Sequence, residues 1–214
     1  MSEIEEILEF RKGLYAFLYR MYLEEPPRKL VEDLVSNKFP FLDLESLNEE
    51  ISEGLEILKS YGKGKNVDEI YEDLVDEYTL LFVGPYRLPV PPYESIWVDG
   101  KMAGESLLRL KEDYRRAGIS KSRSYPEPED HIAFELKFMH HLCEEELATE
   151  DDEELLKYLQ MQNDFLSDHL MNWAPDFCDA MVEYESSDFY KCIAKITKGF
   201  LNMDAKVVKE LIEE

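Results

Sequence analysis

An aspartate and a histidine stand side by side at Asp130 and His131, in the segment SYPEPEDHIAFELKFMHHLCEEE at residues 124–146. Side chains of these two types could form a catalytic pair, contribute to a metal site or dock another molecule. They could equally be a helix cap followed by a core histidine. The surrounding pattern has to distinguish these alternatives.

The apolar residues that follow His131 repeat with the period of an α-helix. At about 100° per residue, His131 shares a face with Phe134, Phe138 and Leu142. Glu135 falls on the same face, where a carboxylate needs a partner, so we expect a contact between His131 and Glu135. We also predict that Pro128 occupies the first helical position and that Asp130 lies in the first turn, at the rim of this face.

The rest of the sequence contains no clear motif for a metal site or an enzyme active site. His140 with Glu144 and His141 with Glu145 have helical i,i+4 spacing, but no third ligand is indicated. The segment GKGK at 62–65 lacks the spacing of a phosphate-binding loop. No GxSxG nucleophile motif occurs. We therefore expect no metal, no cofactor and no catalytic residue.

Helical periodicity extends over almost the whole chain and predicts an all-α fold, a single globular bundle of about ten helices. Asn66 is expected to cap a helix that stops at Gly84-Pro85. The proline-rich segment 84–101 is expected to be an ordered loop. We predict a single domain over residues 1–214, with a hinge at 118–128 as an alternative to a plain loop. A first long helix is marked by apolar residues from Ile4 to Tyr22 and ends before Glu24. The other predicted helices cover residues 28–36, 45–60, 67–82, 103–117, 128–147, 151–172, 175–184, 187–200 and 204–213.

Charge and composition exclude several classes of partner. The 48 acidic and 24 basic residues give a net charge of -24, which opposes binding to a phosphate backbone and attracts basic partners. A membrane span needs about 18 consecutive apolar residues, and the sequence contains no such run. The acidic amino terminus does not resemble an export signal, and the three cysteines suit buried thiols in a reducing compartment. We expect a cytoplasmic protein that binds no nucleic acid and does not insert into a membrane.

Three segments, in this order, resemble the cytoplasmic chaperones of the TorD/DmsD/NarJ type, which mature molybdopterin-containing oxidoreductases. They are YTLLFVGP at 78–85, PYES at 92–95 and EPEDH at 127–131, the last followed by Glu135-Leu-x-Phe-Met139. A weaker similarity runs from Gln162 to Trp173. The resemblance covers most of the chain and implies an all-helical fold. The recognition residues that it implies are Leu81, Phe82, Gly84, Pro85, Pro92, Tyr93, Glu94, Ser95, Glu127, Pro128, Asp130 and His131.

The resemblance also implies a function. Such chaperones bind the twin-arginine leader, or the corresponding amino-terminal segment, of a client's catalytic subunit, hold the apo-enzyme until its cofactor is inserted, and block premature export. We add Trp97 and Phe134 to the peptide-binding residues because an apolar leader needs an apolar groove, with Glu135 in support. The oligomeric state is expected to be a monomer or a domain-swapped dimer. The alternatives are a small all-α hydrolase that uses Asp130 and His131, and a structural helical subunit of a complex.

Overall fold

The protein is all-α over the residues that the computed structural model describes, namely 3–39, 47–61, 63–84, 87–120, 127–184 and 188–213. Within these ranges the strand-like pairing consists of one isolated antiparallel bridge between Tyr93 and His131. The predicted fold class is confirmed. The ten α-helices in these ranges are α1 (Glu3–Leu23), α2 (Arg28–Val35), α3 (Glu49–Tyr61), α4 (Val67–Tyr78), α5 (Glu94–Asp99), α6 (Glu105–Arg116), α7 (Ile132–Ala148), α8 (Asp152–Asp168), α9 (Ala174–Glu183) and α10 (Asp188–Glu213).

The chain divides into two compact units, and α1 and α10 each contribute to both. The first unit comprises Met1–Arg20, Pro92–Ala174 and Leu201–Glu214. The second comprises Met21–Pro91 and Pro175–Phe200. The segment 118–128 lies inside the first unit, and residues 121–126 lie outside the described ranges. The single domain and the hinge at 118–128 therefore stay predictions.

Two helix boundaries in the second unit follow from local sequence. The side chain of Asn66 accepts a hydrogen bond from the Glu69 backbone N–H at 2.9 Å, and the Glu69 carboxylate accepts one from Asn66 in return, a complete capping box. The predicted cap at Asn66 is confirmed. The helix then widens into a π-helical turn, Thr79–Val83, before Gly84 leaves the helical path with a φ of 25°.

Three predicted boundaries in other helices are wrong. Residues 94–99 of the proline-rich segment form α5 instead of a loop, because Asp130 of a distant segment binds its first turn. The helix predicted from 128 begins at Ile132, so Pro128 is not its first residue. The break predicted between 200 and 204 is absent, since α10 continues through Asp204.

The first unit buries a charged cluster among its apolar side chains, which we call the Arg11 cluster: Arg11, Tyr15, Glu146, Gln162 and Asp204. Arg11 Nε donates to Asp204 Oδ1 at 2.6 Å, and Nη1 donates to Glu146 Oε1 at 3.2 Å. Arg11 Nη2 donates to Gln162, and the Tyr15 hydroxyl donates to Asp204 Oδ2 at 2.6 Å. One guanidinium thus joins α1, α7, α8 and α10 beneath the surface.

The three cysteines are all buried thiols. Cys143 lies in the first unit, whereas Cys178 and Cys192 lie in the second. Burial raises the pKa of each thiol above its ordinary value. Their interpretation as core residues is confirmed.

Within the described ranges, no helix combines the length and apolar character that crossing a lipid bilayer requires.

Candidate functional site

Two of the sequence motifs meet in the first unit and pair through their backbones. The Ile132 N–H donates to the Pro92 carbonyl at 2.9 Å, and the Glu94 N–H donates to the Asp130 carbonyl at 2.9 Å. These two bonds flank the Tyr93–His131 bridge. The segments 92–95 and 127–131 are therefore one structural feature, which we call the motif joint.

Side chains reinforce the motif joint at its half-buried edge. The Tyr93 hydroxyl donates to Glu127 Oε2 at 2.5 Å. The Tyr93 and His131 rings meet edge to face with centroids 5.3 Å apart, a favoured aromatic geometry. Tyr93 is 8% exposed. The Glu127 carboxylate is thus fixed at the border between the joint and the solvent.

Asp130 lies beneath the surface and not at the rim that we predicted. Its residue is 0% exposed, and Oδ2 accepts a hydrogen bond from the Ser95 N–H at 3.1 Å. A carboxylate at this place binds the first turn of α5, where unpaired N–H groups need an acceptor. The other oxygen, Oδ1, accepts no hydrogen bond from any residue in the described ranges. Asp130 therefore orders the segment 92–95 and caps α5 instead of its own helix.

His131 is the residue that caps α7. Its ring Nδ1 accepts a hydrogen bond from the Ala133 N–H at 3.1 Å, which requires an unprotonated nitrogen. Burial lowers the pKa of His131 from its ordinary value near 6.5 to about 3, so the ring is neutral at physiological pH. The predicted inward orientation is confirmed. Because His131 and Asp130 each bind a backbone N–H, they do not orient each other as a catalytic pair would.

Glu135 is buried, as its place on the apolar face suggested, but its partner differs from the expected His131. Oε2 accepts a hydrogen bond from Trp173 Nε1 at 3.1 Å, whereas Oε1 has no hydrogen-bond partner within the described part of the chain. Burial and the nearby charge of Glu94 raise the pKa of Glu135 well above its ordinary value. The neutral acid is therefore favoured over a wider pH range than in water.

A histidine bridges two carboxylates next to this group. Both oxygens of the buried Glu94 lie 3.0 Å from His169 Nδ1, and Asp113 Oδ2 lies 3.0 Å from His169 Nε2. Desolvation lowers the pKa of His169, but the hydrogen bonds and charges of Glu94 and Asp113 outweigh it, and the pKa is raised. We call the buried set Glu94, Asp130, Glu135, His169 and Trp173 the Glu94 cluster.

The remaining predicted residues are not all brought together. Leu81, Phe82 and Gly84 belong to the second unit, where Phe82 packs against Tyr22, Tyr78 and Tyr190. Pro85 lies outside the described residues. The predicted residues of the first unit divide into buried Pro92, Tyr93, Glu94, Ser95, Asp130, His131 and Glu135, and half-buried Trp97, Glu127, Pro128 and Phe134.

Two cavities open on the first unit. One, of about 330 Å³, lies along α7 and is lined by Tyr114, Phe134 and Phe138. The other, of about 710 Å³, lies between α6 and α8 and reaches His169. The described residues contain no group of three or more histidine, cysteine or acidic side chains that could hold a metal ion.

The partners that complete the Glu94 cluster are not evident from the sequence. His169 and Trp173 were noted only as part of a weak similarity, yet each binds a buried carboxylate. The available signal was Glu135 itself, because an acid on an apolar face requires a donor. Nothing in the local pattern indicates that the donor is Trp173, which lies 38 residues away.

Comparison with known proteins gives a consistent set of relatives. Chaperone protein TorD of Vibrio cholerae is 27% identical over 100% of this chain and 99% of its own length. A probable Tat proofreading chaperone, DmsD of Haemophilus influenzae, is 30% identical over 60% of this chain and 58% of its own length. A solved structure of a proposed redox enzyme maturation protein from Archaeoglobus fulgidus covers 95% of this chain and 94% of that one, with 22% identity and a TM-score of 0.47.

The model of one protein family matches residues 44–179, which is more than half of the chain and includes the motif joint and the Glu94 cluster. The chain therefore belongs to the family described as the nitrate reductase delta subunit, in which the TorD and DmsD chaperones are its relatives.

Proposed function

We propose that this protein is a maturation chaperone for the catalytic subunit of a molybdopterin-dependent oxidoreductase. It binds the subunit's twin-arginine leader, or the corresponding amino-terminal segment, in the cytoplasm. Binding holds the apo-enzyme until its cofactor is inserted and prevents premature export. The protein acts as a chaperone and not as an enzyme, in keeping with the names of its relatives.

The motif joint is the observation that carries this proposal. Segments 92–95 and 127–131 are far apart in the sequence, but the Tyr93–Glu127 hydrogen bond and the bridge at His131 hold them together, and Glu127 and Glu129 lie on their half-buried edge. Both segments lie within the residues that match the family. A surface that is fixed before the partner arrives loses little conformational freedom on binding, which favours affinity.

Carboxylates at the border of the joint are suited to leader arginines. Glu127 is held by Tyr93, and Glu129 is 25% exposed in its side chain and pairs with Lys111 at 3.3 Å. Because Asp130 is buried, we assign the arginine contact to Glu127 and Glu129 and give Asp130 a positioning role. The net charge of -24 steers a basic segment toward the protein.

Energetics require apolar contacts in addition to charge. Exposed ion pairs contribute about 0–1 kcal/mol each, whereas association costs about 4–15 kcal/mol and ordering a flexible segment costs about 2–5 kcal/mol more. Burial of about 400 Å² of apolar surface contributes roughly 10 kcal/mol at about 25 cal/mol per Å². The leader's apolar residues therefore have to supply most of the affinity.

The first test is a pull-down from the native cytoplasm with mass spectrometry of the captured proteins. We expect the catalytic subunit of a molybdopterin oxidoreductase with its leader intact. Obligate capture of a mature assembly without any leader-bearing precursor would instead support a structural subunit.

The second test is titration of a synthetic leader with the Glu127→Gln variant. The amide keeps an acceptor for Tyr93 but loses the charge, so we expect about tenfold weaker binding, as for the loss of a charge-assisted hydrogen bond. The control is Glu56→Gln, an exposed position in α3 of the second unit. Equal affinities for the two variants would contradict the assignment of Glu127.

A further inference from the structure

An apolar groove runs along α7 next to the motif joint. The rings of Tyr114, Phe134 and Phe138 form its base, and Ile119 lines it from the turn after α6. The Tyr114 and Phe138 rings lie 4.8 Å apart, centroid to centroid, and the Tyr114 hydroxyl donates to the Glu129 carbonyl at 3.2 Å. The base of the groove is thus tied to the segment that carries the joint.

The size of the groove matches a short run of apolar side chains. It follows α7 from Phe134 to Glu144, and these ten steps of about 1.5 Å along the helix give a length of about 15 Å. An export leader carries an apolar stretch of about 7–15 residues, and ten residues of helix have the same length as the groove. A volume of about 330 Å³ accommodates side chains along one face of such a helix and not a folded domain.

The groove has a carboxylate at each end, and Lys137 lies between them on the α7 wall beside the apolar base. Glu129 lies at the end next to the motif joint, and Glu144 lies at the other, 3.5 Å from His140. The arginines of a leader precede its apolar stretch by a few residues. A leader whose arginines contact Glu127 and Glu129 therefore has its apolar stretch in position to enter at the Glu129 end.

From this geometry we propose that the α7 groove binds the apolar stretch of the client leader as a helix, with the arginine-bearing end at Glu129. This inference rests on the proposed function, and it identifies the part of the protein that supplies most of the affinity for the leader. Arginine contacts at the joint select the leader, and the groove supplies the apolar burial that exposed ion pairs cannot provide.

The test uses the full-length protein with Ile119→Lys, which places a charge in the groove at a half-buried turn position. Leu108→Lys is the matched control, because Leu108 lies on α6, is 64% exposed and does not line the groove. Ser120→Trp, at an exposed groove position, blocks the groove sterically if Ile119→Lys does not fold. Circular dichroism and thermal melting establish that each variant is folded.

The probes are synthetic leaders of about 30 residues from the molybdopterin oxidoreductases encoded in the same genome. Each is paired with a version in which serine replaces the leucines of the apolar stretch. By fluorescence anisotropy, Ile119→Lys should bind the natural leader at least about tenfold more weakly than Leu108→Lys does. The serine version should show the same affinity for both variants, which assigns the difference to the apolar stretch.

The outcomes separate this inference from the proposed function. If the wild-type protein binds a leader and all groove variants bind it as well as Leu108→Lys does, the inference is wrong and the proposed function stands. If the wild-type protein binds none of the leaders, the proposed function itself fails. If sedimentation shows a wild-type dimer that Ile119→Lys dissociates, a second copy of the chain occupies the groove, and the inference is overturned.

Discussion

The Arg11 cluster and the Glu94 cluster both place charges in the interior of the first unit, but only one of them balances its hydrogen bonds. In the Arg11 cluster, one guanidinium donates to Asp204, Glu146 and Gln162. In the Glu94 cluster, Glu94 binds the His169 ring, Glu135 accepts from the Trp173 N–H and Asp130 accepts from the Ser95 N–H. Asp130 and Glu135 each keep an oxygen without a donor in the described ranges. Buried polar groups are normally satisfied, so an incomplete set beside the proposed leader-binding surface is where function would constrain stability.

The largest loss of stability is expected from a substitution in the Arg11 cluster, whose hydrogen bonds are complete. Arg11→Met leaves Asp204 and Glu146 buried without their cation, and we expect a loss of about 3–5 kcal/mol in the free energy of unfolding. Urea denaturation measures it. Lys12→Met is the control, because Lys12 forms a partly exposed pair with Glu9 and should cost at most about 1 kcal/mol. Similar losses for both variants would show that the Arg11 cluster is no more important than a surface pair.

A smaller loss is expected from His131→Ala at the motif joint. The variant loses the cap of α7 and leaves a cavity beside Tyr93, which together should cost about 2–4 kcal/mol near pH 7. His141→Ala, on the same helix but more exposed, should stay within about 0.5 kcal/mol.

The same variant tests the pKa of His131. Because the folded pKa of about 3 lies below the unfolded value near 6.5, the contribution of the neutral ring is complete above pH 6.5 and is lost as the pH falls toward 3. The gap between wild type and His131→Ala should therefore narrow between pH 7 and pH 4.5 in urea denaturation. A constant gap would mean that the ring is not held neutral.

The smallest change in stability is expected from Glu135→Gln, and it is a gain instead of a loss. The folded pKa of Glu135 is raised, so the wild-type protein loses stability as the pH rises from the unfolded value of about 4.3 toward the folded one. The amide avoids this loss, and its side-chain oxygen can still accept the hydrogen bond from Trp173. We expect a gain of about 1 kcal/mol at pH 8 and a smaller one at pH 5, measured by thermal melting.

Asp204→Asn is the matched control from the balanced cluster. It removes a carboxylate that Arg11 and Tyr15 both bind, so it should destabilise the protein by about 1–3 kcal/mol. If both amide substitutions destabilise to the same extent, the contrast between the two clusters does not hold.

The sequence predicts features that depend on neighbouring residues and misses those that depend on distant ones. The cap at Asn66 and the inward direction of His131 and Glu135 follow from residues within one or two turns. The burial of Arg11 also has a local signal, since Arg11 shares the helical face of Leu8, Tyr15 and Leu18.

Distant partners explain the errors. Asp204 lies 193 residues from Arg11, so an acid in the middle of α10 resembled a helix break. Asp130 lies 35 residues from Ser95, so the short helix α5 could not be anticipated. In the candidate site, the motif order indicates which segments matter, but the division between buried Asp130 and half-buried Glu127 is a result of packing.

The three buried thiols can report how often the structure around them opens. An alkylating reagent reacts rapidly with a thiol only when the thiol is accessible and deprotonated. These three thiols are buried, and burial also raises their pKa. An alkylating reagent therefore records how often the surrounding structure opens, as amide hydrogen exchange does. Cys143 records this for the first unit, and Cys178 and Cys192 record it for the second. Labelling with and without a leader would test whether leader binding slows the opening of either unit.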